Sequence, residues 1–243
     1  MWDLLHSCAF LLDEAQQNIN GLVEPLILLL PCVHCRNSFV GFYESLGRPD
    51  TASAAEPFAG SKWVYEVHRL VNRKLAEEKA KKFVEVHKLK PPVSTVLISN
   101  ALELAKEPTF EYVRKRYLVN SEEPIQWRSL AVSVLAIVMN FEGKFNGVSK
   151  DEMANLYSKL KQFLEAVKEA CNRSRQDNAK ALKSVLDAIL RLVVQSDHGK
   201  IVEPAKIKKV IQMMKYSRAV SPSEAEELSS LIKAGACIKG TCA

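Results

Sequence analysis

The sequence predicts an all-α fold, and three observations support this prediction. Alanine, leucine, lysine, glutamate and valine are its commonest residues, a composition that favours helices. Only nine of the 243 residues are glycine, which is few for an all-β chain with many tight turns. Apolar residues recur at spacings of three and four, and no strand pattern stands out.

The first half of the chain is predicted to form six helices. Ser61 is the expected N-cap of the fourth helix, whose charged run from 77 to 90 is predicted to be a solvated extension. Pro91-Pro92 ends this helix, and residues 47–60 form a loop rich in Pro, Ala, Ser and Gly. The predicted helices span 2–16, 18–30, 31–46, 62–90, 94–106 and 108–118.

A linker at 119–124 is predicted to separate two domains, at 1–120 and 125–243. The second is a helical domain of unknown role with a short tail from Gly235. Ser149 and Glu152 have the spacing of a capping box. Amphipathic stripes indicate a bundle that packs on itself and on the first domain, with dimerisation or substrate docking as the functional alternative. The predicted helices span 125–141, 150–172, 175–196, 204–217 and 222–234.

Composition and charge exclude several classes of protein. The net charge of +6 is too small and too scattered to indicate nucleic-acid binding by itself. The longest apolar stretches, Leu26–Leu30 and Leu130–Met139, are far shorter than the roughly 20 residues of a membrane span. The N-terminus has no basic region followed by an apolar segment, so neither a secretory signal nor an Arg-rich transit peptide is expected.

Cys32 and Cys35 stand at C-x-x-C spacing where the third helix is predicted to begin. Pro31 fits a first helical turn, and a helix N-terminus favours thiolate over thiol. Such a pair suits dithiol–disulfide exchange, with His34 between the cysteines tuning its potential. C-x-x-C is also half of a zinc site and can arise by chance. From this motif alone, all three alternatives stay open.

The cysteines belong to an ordered set of motifs. The set comprises Trp-x-x-x-His, Pro-Cys-x-x-Cys, Phe-x-x-x-Tyr and Trp-x-x-x-x-His-x-x-Val-Asn, at Trp2 and His6, Pro31 to Cys35, Phe39 and Tyr43, and Trp63, His68, Val71 and Asn72. It resembles the Erv/ALR family of FAD-linked sulfhydryl oxidases over residues 2–75. Residues 108–117 resemble the family's fifth helix, displaced by an insertion at about 76–107.

The resemblance implies a four- or five-helix bundle that holds FAD between its helices. A flavin needs flat apolar surfaces and a few fixed polar contacts. Trp2 and Trp63 would stack on its rings. Other residues would hold its isoalloxazine, adenine or ribose groups or neutralise its pyrophosphate. The remaining cofactor-binding residues implied by the resemblance are His6, Tyr43, His68, Val71, Asn72, Lys74 and Arg116. No metal is expected.

The activity implied by the resemblance is oxidation of protein thiols. A substrate dithiol would open a Cys32–Cys35 disulfide, Cys35 would pass two electrons to the flavin, and oxygen would take them as hydrogen peroxide. Cys237 and Cys242, close to the C-terminus, fit the role of a shuttle pair. The implied partners are thiol-containing proteins and oxygen, and a homodimer is expected.

The sequence departs from the family's pattern at three places. Arg69 follows the fourth-helix histidine where the family usually has asparagine, which adds a positive charge. Tyr112 stands where a structural cysteine is expected, so the disulfide between the fourth and fifth helices is absent. The first motif begins at Trp2, so upstream flavin-contacting residues are not expected.

Two other functions compete with the oxidase hypothesis. One is a non-enzymatic helical interaction protein with a zinc site formed by Cys32, Cys35 and histidines such as His34 or His6. A weaker one is nucleic-acid binding around Arg114–Arg116. The lack of a targeting segment, together with the extra helical domain, resembles enzymes of large DNA viruses. The expected location is therefore the host cytoplasm or virion, with the mitochondrial intermembrane space as the alternative.

Overall fold

The computed structural model describes residues 1–30, 33–49, 56–104, 108–117 and 149–174, together with 133, 134, 137, 179, 182, 183, 186, 187, 189, 190 and 212. Every regular element within these residues is a helix, which confirms the all-α prediction. None of these helices is long and apolar enough to pass through a membrane.

The helices of the described residues are labelled α1 to α8 in chain order. They are α1 (Trp2–Glu14), α2 (Asn20–Val23), α3 (Leu26–Leu29), α4 (Val33–Leu46), α5 (Ala59–Val86), α6 (Val93–Leu104), α7 (Phe110–Tyr117) and α8 (Lys150–Arg173). The single described residues between 133 and 137 and between 179 and 190 are helical as well.

Every side chain of α1 from Leu4 to Leu12 is buried. This helix therefore lies at the centre of the fold. It packs antiparallel to α5, with Trp2 stacked on His68 at one end and Asp13 bonded to Ser61 at the other. Helix α7 also runs antiparallel to α1, with Phe110 beside Phe10 and the Tyr117 ring beside His6.

The opposite side of α1 is covered by α8. Leu160, Phe163, Leu164 and Val167 of α8 are fully buried and belong to the same continuous core as α1. The core therefore joins the two halves of the chain. Ser149 accepts the backbone N–H of Glu152 while the Glu152 carboxylate accepts from Ser149, which confirms the capping box. The predicted linker at 119–124 lies outside the described residues.

Several predicted helix boundaries were wrong. The fourth helix ends at Val86 and not at residue 90, because Lys88 has a left-handed backbone with φ of 50°. Residues 18–30 form two short helices because Pro25 has no backbone N–H to continue a longer one. Ser61 is not the N-cap of α5, because the helix begins at Ala59 after Phe58, which has a left-handed backbone with φ of 63°. Ser61 lies inside the first turn and is fully buried.

Candidate functional site

Two predicted site residues of α1, Trp2 and His6, meet His68 of α5 near the N-terminal end of α1. Nε2 of His6 lies 3.0 Å from Nδ1 of His68, and the two rings share one hydrogen bond. The Trp2 ring stacks on His68 with 4.2 Å between ring centroids and 11° between planes. Three aromatic side chains, two of them separated by 62 positions, therefore form one cluster, which we call the Trp2–His6–His68 cluster.

Tyr117 of α7 extends this cluster, together with Asp3. The Tyr117 ring stacks on His6 at 5.1 Å, and its hydroxyl donates a hydrogen bond to the Asp3 carboxylate. Burial, followed by the bond to Asp3, raises the pKa of the Tyr117 phenol. Neither residue was predicted for the site, because a contact between positions 3 and 117 leaves no local pattern in the sequence.

His6 is held neutral in this environment. It is only 1% exposed, and burial, with smaller contributions from His68 and Arg116, lowers its pKa to about 3. Its Nδ1 atom is buried and has no hydrogen-bond partner among the described residues. A buried polar atom without a partner costs free energy, so a ligand that contacts Nδ1 would remove that cost.

Cys35 lies in the first turn of α4 and is exposed. The backbone dipoles at this end favour a thiolate. Arg36, the next residue, donates from Nη1 to the carbonyl oxygen of Leu30 at 2.9 Å, which ties the helix to the segment before the cysteines. Cys32 lies outside the described residues, so its pairing with Cys35 stays a prediction.

A polar chain connects α5 to the first turn of α4. The ammonium of Lys74 donates to the Ser38 hydroxyl, and that hydroxyl donates to the backbone carbonyl of His34 at 2.8 Å. A positive charge is thereby fixed close to the turn that carries Cys35. A positive charge near a cysteine favours its thiolate, and Nζ of Lys74 also pairs with Oε1 of Glu78 at 3.5 Å.

Trp63 and Tyr43 lie together on the other side of α5. The indole Nε1 of Trp63 donates to the carbonyl oxygen of Gly47 at 2.8 Å, and the ring packs edge-on against Phe39 and Tyr43. Tyr43 also lies about 12 Å along α4 from Cys35, at 1.5 Å per residue. The described contacts of Trp63 are core packing, and a stacking role for either residue stays a prediction.

The remaining predicted residues lie on or near the same helices. Asn72 is half-buried one turn beyond His68, and Val71 packs against the core. Arg116 is exposed, with its guanidinium 5.4 Å from the centroid of the Tyr117 ring. Cys237 and Cys242 lie outside the described residues.

The cluster meets two requirements of a flavin site, namely flat rings and a buried polar atom to be satisfied. Trp2 and His68 are too close for a third ring to fit between them, so a cofactor ring would stack on an outer face of this pair. No group of three or more metal-ligating side chains comes together within the described residues, and Cys32, one of the predicted zinc ligands, is not among them.

Comparison with known proteins identifies no relative, since no family model, curated protein or solved structure matches the chain.

Proposed function

We propose that the protein is an FAD-dependent thiol oxidase that forms disulfide bonds in other proteins. The observation that carries this proposal is the Trp2–His6–His68 cluster, because residues of two separate motifs meet in space. The motifs were singled out from the sequence by their resemblance to the Erv/ALR pattern, without knowledge of the fold. The connection from Lys74 through Ser38 to the turn of Cys35 supports it further.

In the proposed reaction, a thiolate of a substrate protein attacks the sulfur of Cys32 and breaks the Cys32–Cys35 disulfide. Cys35 leaves as a thiolate, favoured by the α4 N-terminus and the Lys74 ammonium. A second substrate thiolate displaces Cys32, so the substrate gains a disulfide and the enzyme holds a dithiol. Bound FAD would accept the two electrons of this dithiol and deliver them to oxygen, which with two protons becomes hydrogen peroxide.

The residues of the cluster would bind and orient the cofactor. Trp2 and His68 offer a flat stacked surface, and Nδ1 of His6 offers a buried polar atom for a hydrogen bond. His6 stays neutral at pH 7 because its pKa is about 3, so it contributes no charge to the site. Arg116 supplies a positive charge near the cluster, since its guanidinium lies 5.4 Å from the centroid of the Tyr117 ring, which stacks on His6.

The test is the visible absorption spectrum of the purified chain, before and after dithiothreitol is added in air. We expect flavin bands that bleach and then recover, with uptake of oxygen and release of hydrogen peroxide. Cys35→Ser should keep the bound flavin and lose thiol oxidation. The matched control is Cys171→Ala, since Cys171 is buried in α8 and should keep both. A colourless protein that binds no added FAD would contradict the proposal.

A further inference from the structure

Residues 75–104 form a projecting arm, made of the C-terminal part of α5, the turn after it and α6. Among the described residues, α6 packs mainly against α5. The arm is therefore a two-helix hairpin that extends beyond the rest of the described fold. The oxidase hypothesis uses no residue of this arm.

A groove of about 800 Å³ runs along the arm between its two helices. Its lining is almost entirely apolar, although the groove is open to solvent. Phe83 is 47% exposed, Val93 56% and Val96 54%. The lining residues are Ala76, Lys79, Ala80, Phe83, Pro92, Val93, Val96, Leu97, Asn100 and Ala101. Contiguous exposed apolar surface of this kind marks an interaction site.

The lining residues have the spacing of a helix-packing seam. On α5 they recur three and four positions apart from Ala76 to Phe83, and on α6 they do so from Val93 to Ala101. Apolar residues at this spacing face a partner helix. A two-helix hairpin with such a seam is half of a four-helix bundle, and a second hairpin would complete the bundle.

Charge is distributed unevenly along the arm. Its tip, residues 81–92, has four lysines and one glutamate, whereas its base, residues 75–80 and 98–104, has three glutamates and one lysine. Two arms that pack antiparallel would each place a basic tip against an acidic base. Two arms that pack parallel would bring the like-charged tips together, which is unfavourable.

We propose that the groove binds the arm of a second copy of this chain, in an antiparallel arrangement about a two-fold axis. Each residue i then contacts j while j contacts i, as an isologous interface requires. Asn100, the polar residue of the groove on α6, lies near the middle of that helix, where the two-fold axis would pass and bring the same residue of both copies together. Its side-chain amide carries both a donor and acceptors, so two copies can satisfy each other, as a buried asparagine does in coiled coils.

The size of the apolar surface also suits a dimer. Five large apolar side chains of the arm are more than a third exposed, namely Leu75, Phe83, Val86, Val93 and Val96. They expose on the order of 400 Å² of apolar surface in total, which is the range of a functional patch. A standard interface buries about 800 Å² per partner, of which roughly 57% is apolar. The arm therefore supplies about the apolar area that one side of such an interface needs.

The experiment measures the molar mass of the full chain by sedimentation equilibrium from about 1 to about 100 µM, where interfaces of this size commonly associate. We expect a monomer–dimer equilibrium. Val96→Glu places a charge in the groove and should raise the dissociation constant at least about tenfold. The matched control is Thr95→Glu, which adds the same charge at the adjacent exposed position outside the groove and should change it little.

The antiparallel arrangement is tested by reversing charges. Lys88→Glu with Lys90→Glu at the tip, or Glu78→Lys with Glu103→Lys at the base, should each weaken self-association. An equimolar mixture of the two variants should associate as well as the original chain, because both tip–base contacts are then attractive. Added salt should weaken the original dimer by screening this attraction, whereas it would strengthen a parallel one.

Three outcomes would overturn the proposal. One is a monomer at every concentration, which would mean that the groove binds another segment of the chain or another protein. The second is a dimer that Val96→Glu does not weaken, which would place the interface elsewhere. The third is a dimer strengthened by salt. Circular dichroism of Val96→Glu verifies that the arm stays helical. Val96 has no part in the oxidase hypothesis, so the flavin content of this variant is a second measure of its fold.

Discussion

Nε2 of His6 and Nδ1 of His68 lie 3.0 Å apart, and this contact joins α1 to α5 within the candidate site. A hydrogen bond between two imidazoles requires at least one of them to be neutral, because two imidazolium ions have no acceptor nitrogen. The low pKa of His6 meets this requirement. The same contact uses Nε2 of His6 and leaves its buried Nδ1 for a ligand. The hydrogen bond with His68 therefore fixes the ring that carries this binding atom.

His68 is expected to contribute directly to FAD binding. His68→Ala removes a stacking surface and should raise the dissociation constant for FAD about tenfold, since a loss of about 1.4 kcal/mol has that effect. His68→Phe keeps the ring without its nitrogens, so it should recover the stacking part of the loss. Titration of the apoprotein with FAD, followed by quenching of flavin fluorescence, gives both values.

The control for this prediction is His87→Ala, at an exposed histidine just after the end of α5. It should bind FAD as the original chain does. Equal affinities of His68→Ala and His87→Ala would show that the Trp2–His6–His68 cluster does not bind the flavin. The melting temperature of each variant separates a loss of contact from a loss of fold.

Because His6 is buried, we expect the free energy of unfolding to decrease at acidic pH. Its pKa is about 3 in the folded chain against an ordinary value of 6.5, so between these values the unfolded chain binds a proton that the folded chain does not. The free energy of unfolding therefore decreases as the pH falls through this window, by up to about 1.4 kcal/mol per pH unit. Above pH 6.5 this contribution to stability is fully present.

Urea unfolding at about pH 6, 5 and 4 measures this dependence. His6→Gln removes the titrating group, so its free energy of unfolding should fall less steeply with acid than that of the original chain. Identical slopes for His6→Gln and the original chain would mean that His6 is not held neutral by the fold.

The sequence was sufficient to predict elements that depend on local spacing. Helices α1, α4 and α6 begin and end within about three residues of the predicted bounds, in keeping with the uncertainty of helix termini. The family resemblance implied that His6 and His68 both bind one cofactor, and their side chains lie in contact, although the cofactor itself stays a prediction. Contacts between residues distant in sequence were missed, namely Tyr117 with Asp3 and Ser61 with Asp13, because no local pattern contains both partners.

The glycine inside α4 and the glycine that follows this helix are predicted to respond in opposite directions to substitution by alanine. Gly47 follows the last residue of the helix with φ of +75°, a left-handed conformation that costs a residue with a Cβ atom roughly 1–2 kcal/mol. Gly41 lies inside the helix, and an added Cβ would meet nothing within 4 Å. Chemical denaturation should show Gly47→Ala less stable by about 1 kcal/mol and Gly41→Ala more stable by about 0.5–1 kcal/mol. The same sign for both would contradict the assigned end of α4.

Asp13 is predicted to stabilise the start of α5 from outside that helix. Its Oδ2 atom accepts hydrogen bonds from the backbone N–H and the hydroxyl of Ser61, both at 2.6 Å. The N–H groups of a first turn have no partner within their own helix, and Phe58 at the N-cap position supplies no side-chain cap. Asp13 therefore acts as the cap of α5, although it belongs to α1.

Asp13→Ala should lower the free energy of unfolding by about 1–3 kcal/mol, because it removes the cap and leaves the buried Ser61 groups unpaired. Asp13→Asn should lower it less, since the amide oxygen has two lone pairs and can still accept both bonds, although without the negative charge. Glu14→Ala, at the exposed neighbouring position, is the matched control and should stay within about 0.5 kcal/mol of the original chain. Urea denaturation gives the free energy of unfolding of each of the three variants. If Asp13→Ala and Glu14→Ala lose equally little, the start of α5 is stabilised by apolar packing alone.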